Sequence, residues 1–209
     1  MVNYLLREPK SATEKPSLIL LLHGYGSNEQ DLFSFAEELP DDAYIISLRA
    51  IRDTTMGGYA WYDLDFSGGV RMVDAKQATE AQQVIFQFIE QVSSKYPFDK
   101  NNINLLGFSQ GAIISFSLAL HHPDKFKKVL CLSGYPEPEL LKDVELGKDF
   151  SQLEFFFSHG KDDPVIPIAW SRQFKSICEE LNLDYEYHEY LAGHGINSEN
   201  YYDMLNFLQ

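Results

Sequence analysis

Basic residues are scarce in this 209-residue chain: 17 Lys and Arg stand against 31 Asp and Glu, a formal charge of −14. An excess of that sign repels polyanions, which argues against nucleic acid and anionic membrane surfaces as partners. Cysteine is rarer still, with two residues, Cys131 in an apolar run and Cys178 in a helical pattern. Neither a disulfide framework nor a metal-ligand spacing can be drawn from them, so both are expected to be inert thiols. No apolar run approaches the roughly 20 residues a membrane-spanning helix needs, and no integral membrane segment is expected. Met1 to Lys10 lacks the basic, apolar and small-residue succession of a secretory leader, so a cytoplasmic protein is expected. Internal repeats and low-complexity tracts are missing as well.

What is present is an ordinary globular composition, 44% hydrophobic and 23% charged. The length suits one domain over residues 1–209, with room for a sizeable core. Short apolar runs read as strands at Leu18 to Leu22, Tyr44 to Leu48, Ile103 to Leu106, Val129 to Leu132, Phe155 to Phe157 and Tyr185 to Tyr190. The first five are nearly continuous, as strands buried on both faces should be. Helical spacing separates them, best seen where Val73, Ala78, Ala81, Val84, Ile85, Phe88, Ile89 and Val92 mark one face. Further helices fit Asp31 to Glu38, Gln110 to His121, Ile168 to Leu181 and Ser198 to Leu208. Alternation of this kind predicts an α/β three-layer sandwich with a mostly parallel central sheet. Tyr4 to Arg7 fits an added antiparallel strand. Two segments fit no element: Ala50 to Met72, rich in glycine and aromatics, and Gly134 to Gln152, which reads as a solvated excursion.

Gly107-Phe108-Ser109-Gln110-Gly111 has the form G-x-S-x-G and falls where a buried strand ends and a helix begins. A Gly-Ser-Gly turn occurs often by chance, and the strand-turn-helix setting is what makes this one a nucleophile elbow. A serine hydroxyl attacks well only when a neighbouring base takes its proton. Among six histidines, His194 follows the last strand and precedes the last helix, as the chain order of serine, acid and histidine requires. His188 reads as a sheet residue, and His121 and His122 as helix-terminal ones. The acid is expected after a late strand, where Asp162 and Asp163 are adjacent candidates. His23-Gly24-Tyr25-Gly26 follows the first buried strand, so the backbone N–H groups of Tyr25 and Gln110 could bind a developing oxyanion. Trp61, Tyr62 and Phe66 are candidates for an apolar substrate wall, although anchoring the loop in the core would use the same residues.

Taken together, His-Gly-Tyr-Gly at 23 to 26, Trp61-Tyr62-Asp63, Gly-Phe-Ser-Gln-Gly at 107 to 111, His159-Gly160 with Asp163-Pro164, and Gly193-His194 span nearly the whole chain. In this combination the sequence resembles the phospholipase/carboxylesterase family of small α/β-hydrolases, which includes acyl-protein thioesterases. The resemblance implies a catalytic triad of Ser109, Asp163 and His194, oxyanion donors on Tyr25 and Gln110, and hydrolysis of carboxylic esters without metal or other cofactor. It leaves thioesterase or lysophospholipase activity open, and less readily a non-catalytic ligand-binding relative. A small ester or thioester is the partner implied, with the protein a monomer or homodimer. Two departures stand out, Ala112 after the elbow and Tyr25 where a smaller apolar residue is common.

Overall fold

The computed structural model describes residues 2–55, 57–65 and 72–209. Seven strands form its central sheet: β1 (Tyr4–Arg7), β2 (Ser17–Leu22), β3 (Ala43–Leu48), β8 (Ile103–Phe108), β9 (Lys128–Leu132), β10 (Glu154–Gly160) and β11 (Asp184–Tyr190). Two short antiparallel pairs lie between β3 and β8 in the chain, β4 (Arg52–Asp53) with β5 (Tyr59–Ala60) and β6 (Leu64–Asp65) with β7 (Met72–Val73). The helices are α1 (Gln30–Phe33), α2 (Ala75–Ser93), α3 (Gln110–His121), α4 (Pro138–Leu141), α5 (Ile168–Ser171), α6 (Gln173–Leu181) and α7 (Ser198–Leu208).

The sheet order is β1-β3-β2-β8-β9-β10-β11, with β1 antiparallel to β3 and the rest parallel. The chain leaves β2 toward β3 on one side and leaves β8 toward β9 on the other. The carboxyl ends of β2 and β8 therefore flank a topological switch point, where open α/β sheets place their ligands. His23 to Gly26 follows one of these ends and Ser109 the other.

Alternation along the strands divides the core between two faces. Leu18, Leu20, Leu22, Val129, Cys131, Phe155 and Phe157 join the cluster that includes α2, α3 and α6. Ile19, Leu21, Leu130, Leu132 and Phe156 join the one that includes Leu32 of α1 and Met204 and Leu208 of α7. The three layers follow from this division, since each face must be covered. Every residue of α3 from Gln110 to Leu120 is buried, so the helix behind Ser109 is a core element. Among the described residues no helix is long and apolar enough to cross a membrane.

Where the expected elements differ, side-chain hydrogen bonds account for most of it. Helix α1 stops at Phe33, and residues 34–39 continue in tight turns with Phe35 and Ala36 bonded three residues back. Ser34 Oγ donates to Asp31 O (2.6 Å), the local competition that disfavours serine within helices. The helix expected over Ile168 to Leu181 divides into α5 and α6 only at Arg172, which keeps φ −60° and ψ −18° and donates its N–H to Ile168 O (3.0 Å). Val73 belongs to β7, because Asp74 caps α2 by accepting from Gln77 N (3.0 Å). Gly134 to Gln152 is a solvated excursion only in part, with residues 142, 143 and 145–147 exposed. It carries α4, it buries Tyr135, Leu140 and Phe150, and Leu140 O accepts from Ser117 Oγ (2.8 Å) and His121 Nε2 (3.0 Å).

The turn at Ser109 is set by contact between backbones. A Cβ on Gly111 would stand 1.9 Å from Leu22 O and 2.9 Å from His23 O, and one on Gly107 would stand 2.4 Å from Gly111 O. Helix α3 thus begins directly against the end of β2, closer than any side chain permits. Gly111→Ala is expected to destabilise the protein by about 2 to 4 kcal/mol, read as a Tm lowered by about 5 to 15 °C. Gly147→Ala, where the added methyl meets nothing, should leave Tm within about 2 °C. Equal melting of both variants and the parent would refute the steric reading.

Candidate active site

Ser109 stands between β8 and α3 with φ 53° and ψ −113°, a conformation that costs an L-residue about 1 to 3 kcal/mol. Its N–H donates to Leu132 O (2.8 Å), which ties the turn to the neighbouring strand β9. The side chain meets His194 Nε2 at 2.9 Å. His194 Nδ1 meets Asp163 Oδ2 at 2.7 Å. A carboxylate only accepts, so Nδ1 carries the proton and Nε2 of the neutral ring accepts from the serine hydroxyl. The three side chains form one directed hydrogen-bond chain from strand ends that lie far apart in sequence.

Asp163 is fully buried at its side chain. Burial pushes its pKa up, but the His194 bond and the amides of Ile166 and Val165 outweigh it and hold the group below the ordinary carboxylate value. Those amides donate to Oδ1 at 2.9 and 2.7 Å. Asp162 is exposed, and its N–H donates to Ala192 O (3.1 Å). The neighbours in sequence are therefore distinct in environment. The loops that carry Asp163 and His194 meet because Gly160 ends β10: a Cβ there would stand 2.2 Å from Gly193 O and 2.4 Å from Ala192 O.

The sequence points to His159 and Gly160 as residues that shape the loop before Asp163. The fully buried side chain of His159 donates from Nε2 to Ile166 O (2.8 Å), and the same nitrogen lies 3.3 Å from Asp163 Oδ2. Burial pushes its pKa down, although the Ile166 carbonyl and the Asp163 charge oppose this. A neutral imidazole thus sits beneath the carboxylate and braces its loop. The His-Gly pair before Asp163 was the available signal, but the ring's direction depends on tertiary contacts.

His23 is buried and bonded at both nitrogens, with Nδ1–H donating to Gly24 O (2.7 Å) and Nε2 accepting from Ala50 N (3.0 Å). Burial is the main cause that lowers its pKa. It shapes the turn before Tyr25 and has no nitrogen left for proton transfer. Neither the Tyr25 amide nor the Gln110 amide donates to a protein acceptor among the described residues. One follows β2 and the other opens α3, so both are available at the switch point. The Gln110 side chain faces elsewhere, accepting from Trp61 N (2.8 Å) and donating to Tyr62 O (2.7 Å).

Of the residues expected to wall the substrate, Tyr62 lines a small cavity beside Ser109, together with Tyr25, Leu64, Ile113 and Tyr135. Trp61 does not. Its indole is fully buried and donates to His23 O (2.9 Å), which makes it an anchor of the loop. Phe66 lies outside the described residues. Leu64, Ile113 and Tyr135 were not singled out in the sequence; Tyr135 arrives from the segment after β9, and no local pattern points it toward Ser109. A wider cleft of about 440 Å³ between Asn3, Arg49 and Phe88 holds no nucleophile and base in contact. Among the described residues no group of three His, Cys, Asp or Glu is placed to hold a metal ion.

The sequence profile of the family described as Phospholipase/Carboxylesterase matches residues 8–209. An acyl-protein thioesterase 1 of Kluyveromyces lactis is 28% identical over 97% of this chain and 95% of its own length. The crystal structure of a Bacillus cereus carboxylesterase superposes with a TM-score of 0.85 at 25% identity, covering 100% of this chain and 93% of that one. A carboxylesterase from Mesorhizobium loti, at 18% identity, has the same fold with a TM-score of 0.84 over 99% of this chain and 94% of its own.

The lowered pKa of Asp163 carries a sign for stability. A carboxylate depressed in the folded state contributes stability above its unfolded value of about 3.9, and that contribution is lost as pH falls through the folded value. Asp163→Asn should therefore be less stable than the parent at about pH 6, with a deficit that narrows below about pH 4. Urea midpoints across that range measure it. A deficit that stays constant or widens on acidification would contradict the electrostatic account.

Proposed function

The chain belongs to the phospholipase/carboxylesterase family, and from that premise we propose that it hydrolyses carboxylic esters through an acyl-enzyme carried on Ser109. The observation that carries the residue assignment is the directed chain from Ser109 Oγ through His194 to Asp163, at 2.9 and 2.7 Å. In the first half-reaction the Ser109 oxygen bonds to the ester carbonyl carbon as its proton passes to His194 Nε2. The carbonyl oxygen takes up the negative charge beside the amides of Tyr25 and Gln110, fixed dipoles that need no reorganisation. Collapse of the tetrahedral species breaks the bond to the alcohol, which leaves with the proton from Nε2. A water molecule then repeats the sequence on the acyl-serine and releases the acid.

Asp163 serves this cycle without giving up its own charge. It fixes the ring with Nδ1 protonated and stabilises the imidazolium that forms each time Nε2 takes a proton. The two amides on Oδ1 keep the carboxylate aimed while it does so. Every proton in the cycle has a named donor and acceptor. Thioester hydrolysis would use the same steps with a thiol as leaving group, and the likeness to an acyl-protein thioesterase over nearly the full chain favours it as a second reading.

A fluorophosphonate should label Ser109 and no other serine, because an activated oxygen beside two free amides traps tetrahedral phosphorus. Ser133 has the same φ of 53° but is fully buried and should stay unlabelled in a peptide map. Ser109→Ala is expected to lower kcat on an activated ester by at least about 10³-fold. An adduct on Ser133, or a Ser109→Ala variant with parental turnover, would overturn the proposal.

The two aspartates give an independent test. Asp163→Asn should cost on the order of 10³ to 10⁴ in kcat, since the amide favours the wrong tautomer of His194. Asp162→Asn should remain within about 3-fold of the parent, as an exposed side chain outside the chain of bonds. The reverse order in folded variants would reassign the acid.

A further inference from the structure

Asp163 Oδ2 stands between two imidazoles. It accepts from His194 Nδ1 at 2.7 Å and lies 3.3 Å from His159 Nε2. The reaction proposed above uses the first ring for proton transfer and leaves the second without a role.

The tautomer of His159 is set by its partner. Nε2 meets Ile166 O at 2.8 Å, and a carbonyl only accepts, so Nε2 carries the proton. Nδ1 is buried and meets no protein partner among the described residues. A second proton there would have no acceptor, and burial opposes the cationic ring as well. The ring therefore donates from one fixed nitrogen and adds no charge beside Asp163.

Ile166 is the other end of the same grip. Its N–H and that of Val165 donate to Asp163 Oδ1 at 2.9 and 2.7 Å, while its carbonyl receives His159. Carboxylate and imidazole thus hold one residue from its two polar sides. Pro164 and Val165 are exposed, so the turn has no cover on its outer side. The Ile166 side chain packs in the core, which fixes where the residue sits but not where its carbonyl points. Without His159 that carbonyl loses its donor in a buried place. The turn can recover one only by shifting, and its amides are the ones that aim Oδ1.

Building on the Ser109 acyl-enzyme, we propose that His159 is a positioning residue of the reaction: through its bond to Ile166 O it holds the turn at 163–166 so that Asp163 meets His194 in the geometry proton transfer needs. It acts on the rate only through Asp163. Its loss falls on kcat rather than KM, because the acid aligns the base and takes no part in holding the ester. A displacement of about 1 Å in such an arrangement costs about 10²-fold.

Substitutions at His159 separate the bond from the filling of space. His159→Leu keeps apolar bulk without a donor and should lower kcat on p-nitrophenyl acetate by about 10- to 100-fold, with KM within about 3-fold of the parent. His159→Gln places an amide nitrogen near the position of Nε2 and should recover kcat to within about 5-fold of the parent. His159→Asn is one carbon shorter, cannot reach Ile166 O and should be as slow as the leucine variant. A residue needed only for stability gives another pattern, a lowered Tm with parental kcat in each folded variant. That pattern, or a glutamine variant as slow as the leucine one, would overturn the proposal.

If His159→Leu does not fold, the glutamine and asparagine pair still decides, and so does the parent. Its His159 ring at about pH 8 should show ¹⁵N shifts of a protonated Nε2 and a bare Nδ1; a proton on Nδ1 would overturn the proposal. Labelling of Ser109 by a fluorophosphonate keeps the two proposals apart. A labelled, active parent beside folded variants of parental kcat refutes the role of His159 alone, whereas a parent with neither label nor turnover refutes the acyl-enzyme and this role with it.

Discussion

The site depends on how closely the start of α3 approaches the end of β2. With 1.9 Å between Leu22 O and a Cβ built on Gly111, any side chain there would force the two backbones apart. Separation would undo several things together: the φ of 53° at Ser109, the contact of its hydroxyl with His194, and the place of the Gln110 amide at the start of α3 against the end of β2. One steric requirement therefore sets the proposed nucleophile and the Gln110 amide proposed to bind charge in a common frame. The strain at Ser109 is held by its bond to Leu132 O and by a helix that is buried along its whole length. A local conformation costing about 1 to 3 kcal/mol persists only where the surroundings overdetermine it.

A second close approach, Gly160 against Ala192 and Gly193, does for acid and base what the first does for the serine. It brings the loop after β10 and the loop after β11 together, so that Asp163 and His194 meet at 2.7 Å. The carboxylate is then supplied with donors at both oxygens, amides on Oδ1 and imidazole on Oδ2. Burial alone would raise its pKa and favour the neutral acid, which could not hold His194 in the needed tautomer. The donors reverse that direction. His159 adds a neutral N–H beneath the same loop without adding a competing charge.

Much of this was legible in the sequence because it is encoded locally. A strand buried on both faces, a glycine two residues either side of Ser109 and a helix without a polar face all occur within a few residues of one another. Hence β1, α3 and α7 fall where the pattern predicts, and the main strands differ only at their ends. The misread elements are those decided by distant partners. The interruption at Arg172 is slight, a single residue that keeps φ −60° and ψ −18°, and is not one of them. The segment after β9 looks polar and loose, yet Ser117 and His121 on α3 anchor it through Leu140 O. Trp61 and Tyr62 are adjacent, equally aromatic and equally buried, and only the folded chain shows that one anchors the loop while the other lines the cavity.

That last distinction bears on how one fold takes up different substrates. The turn at Ser109, the two amides and the His194-Asp163 pair are fixed by backbone contacts that leave little freedom for variation. The cavity beside Ser109 is lined by residues from three separate segments, Tyr25 after β2, Tyr62 between β5 and β6, and Tyr135 after β9. None of these phenol rings makes the close backbone contacts that create the elbow, so their size can change without disturbing it. Tyr25 is the clearest case, since its amide, a proposed oxyanion donor, meets no protein acceptor among the described residues while the residue also lines the cavity. The proposed charge binding and the cavity wall thus reside in different atoms of the same residue, and substitution of the side chain reaches only the second.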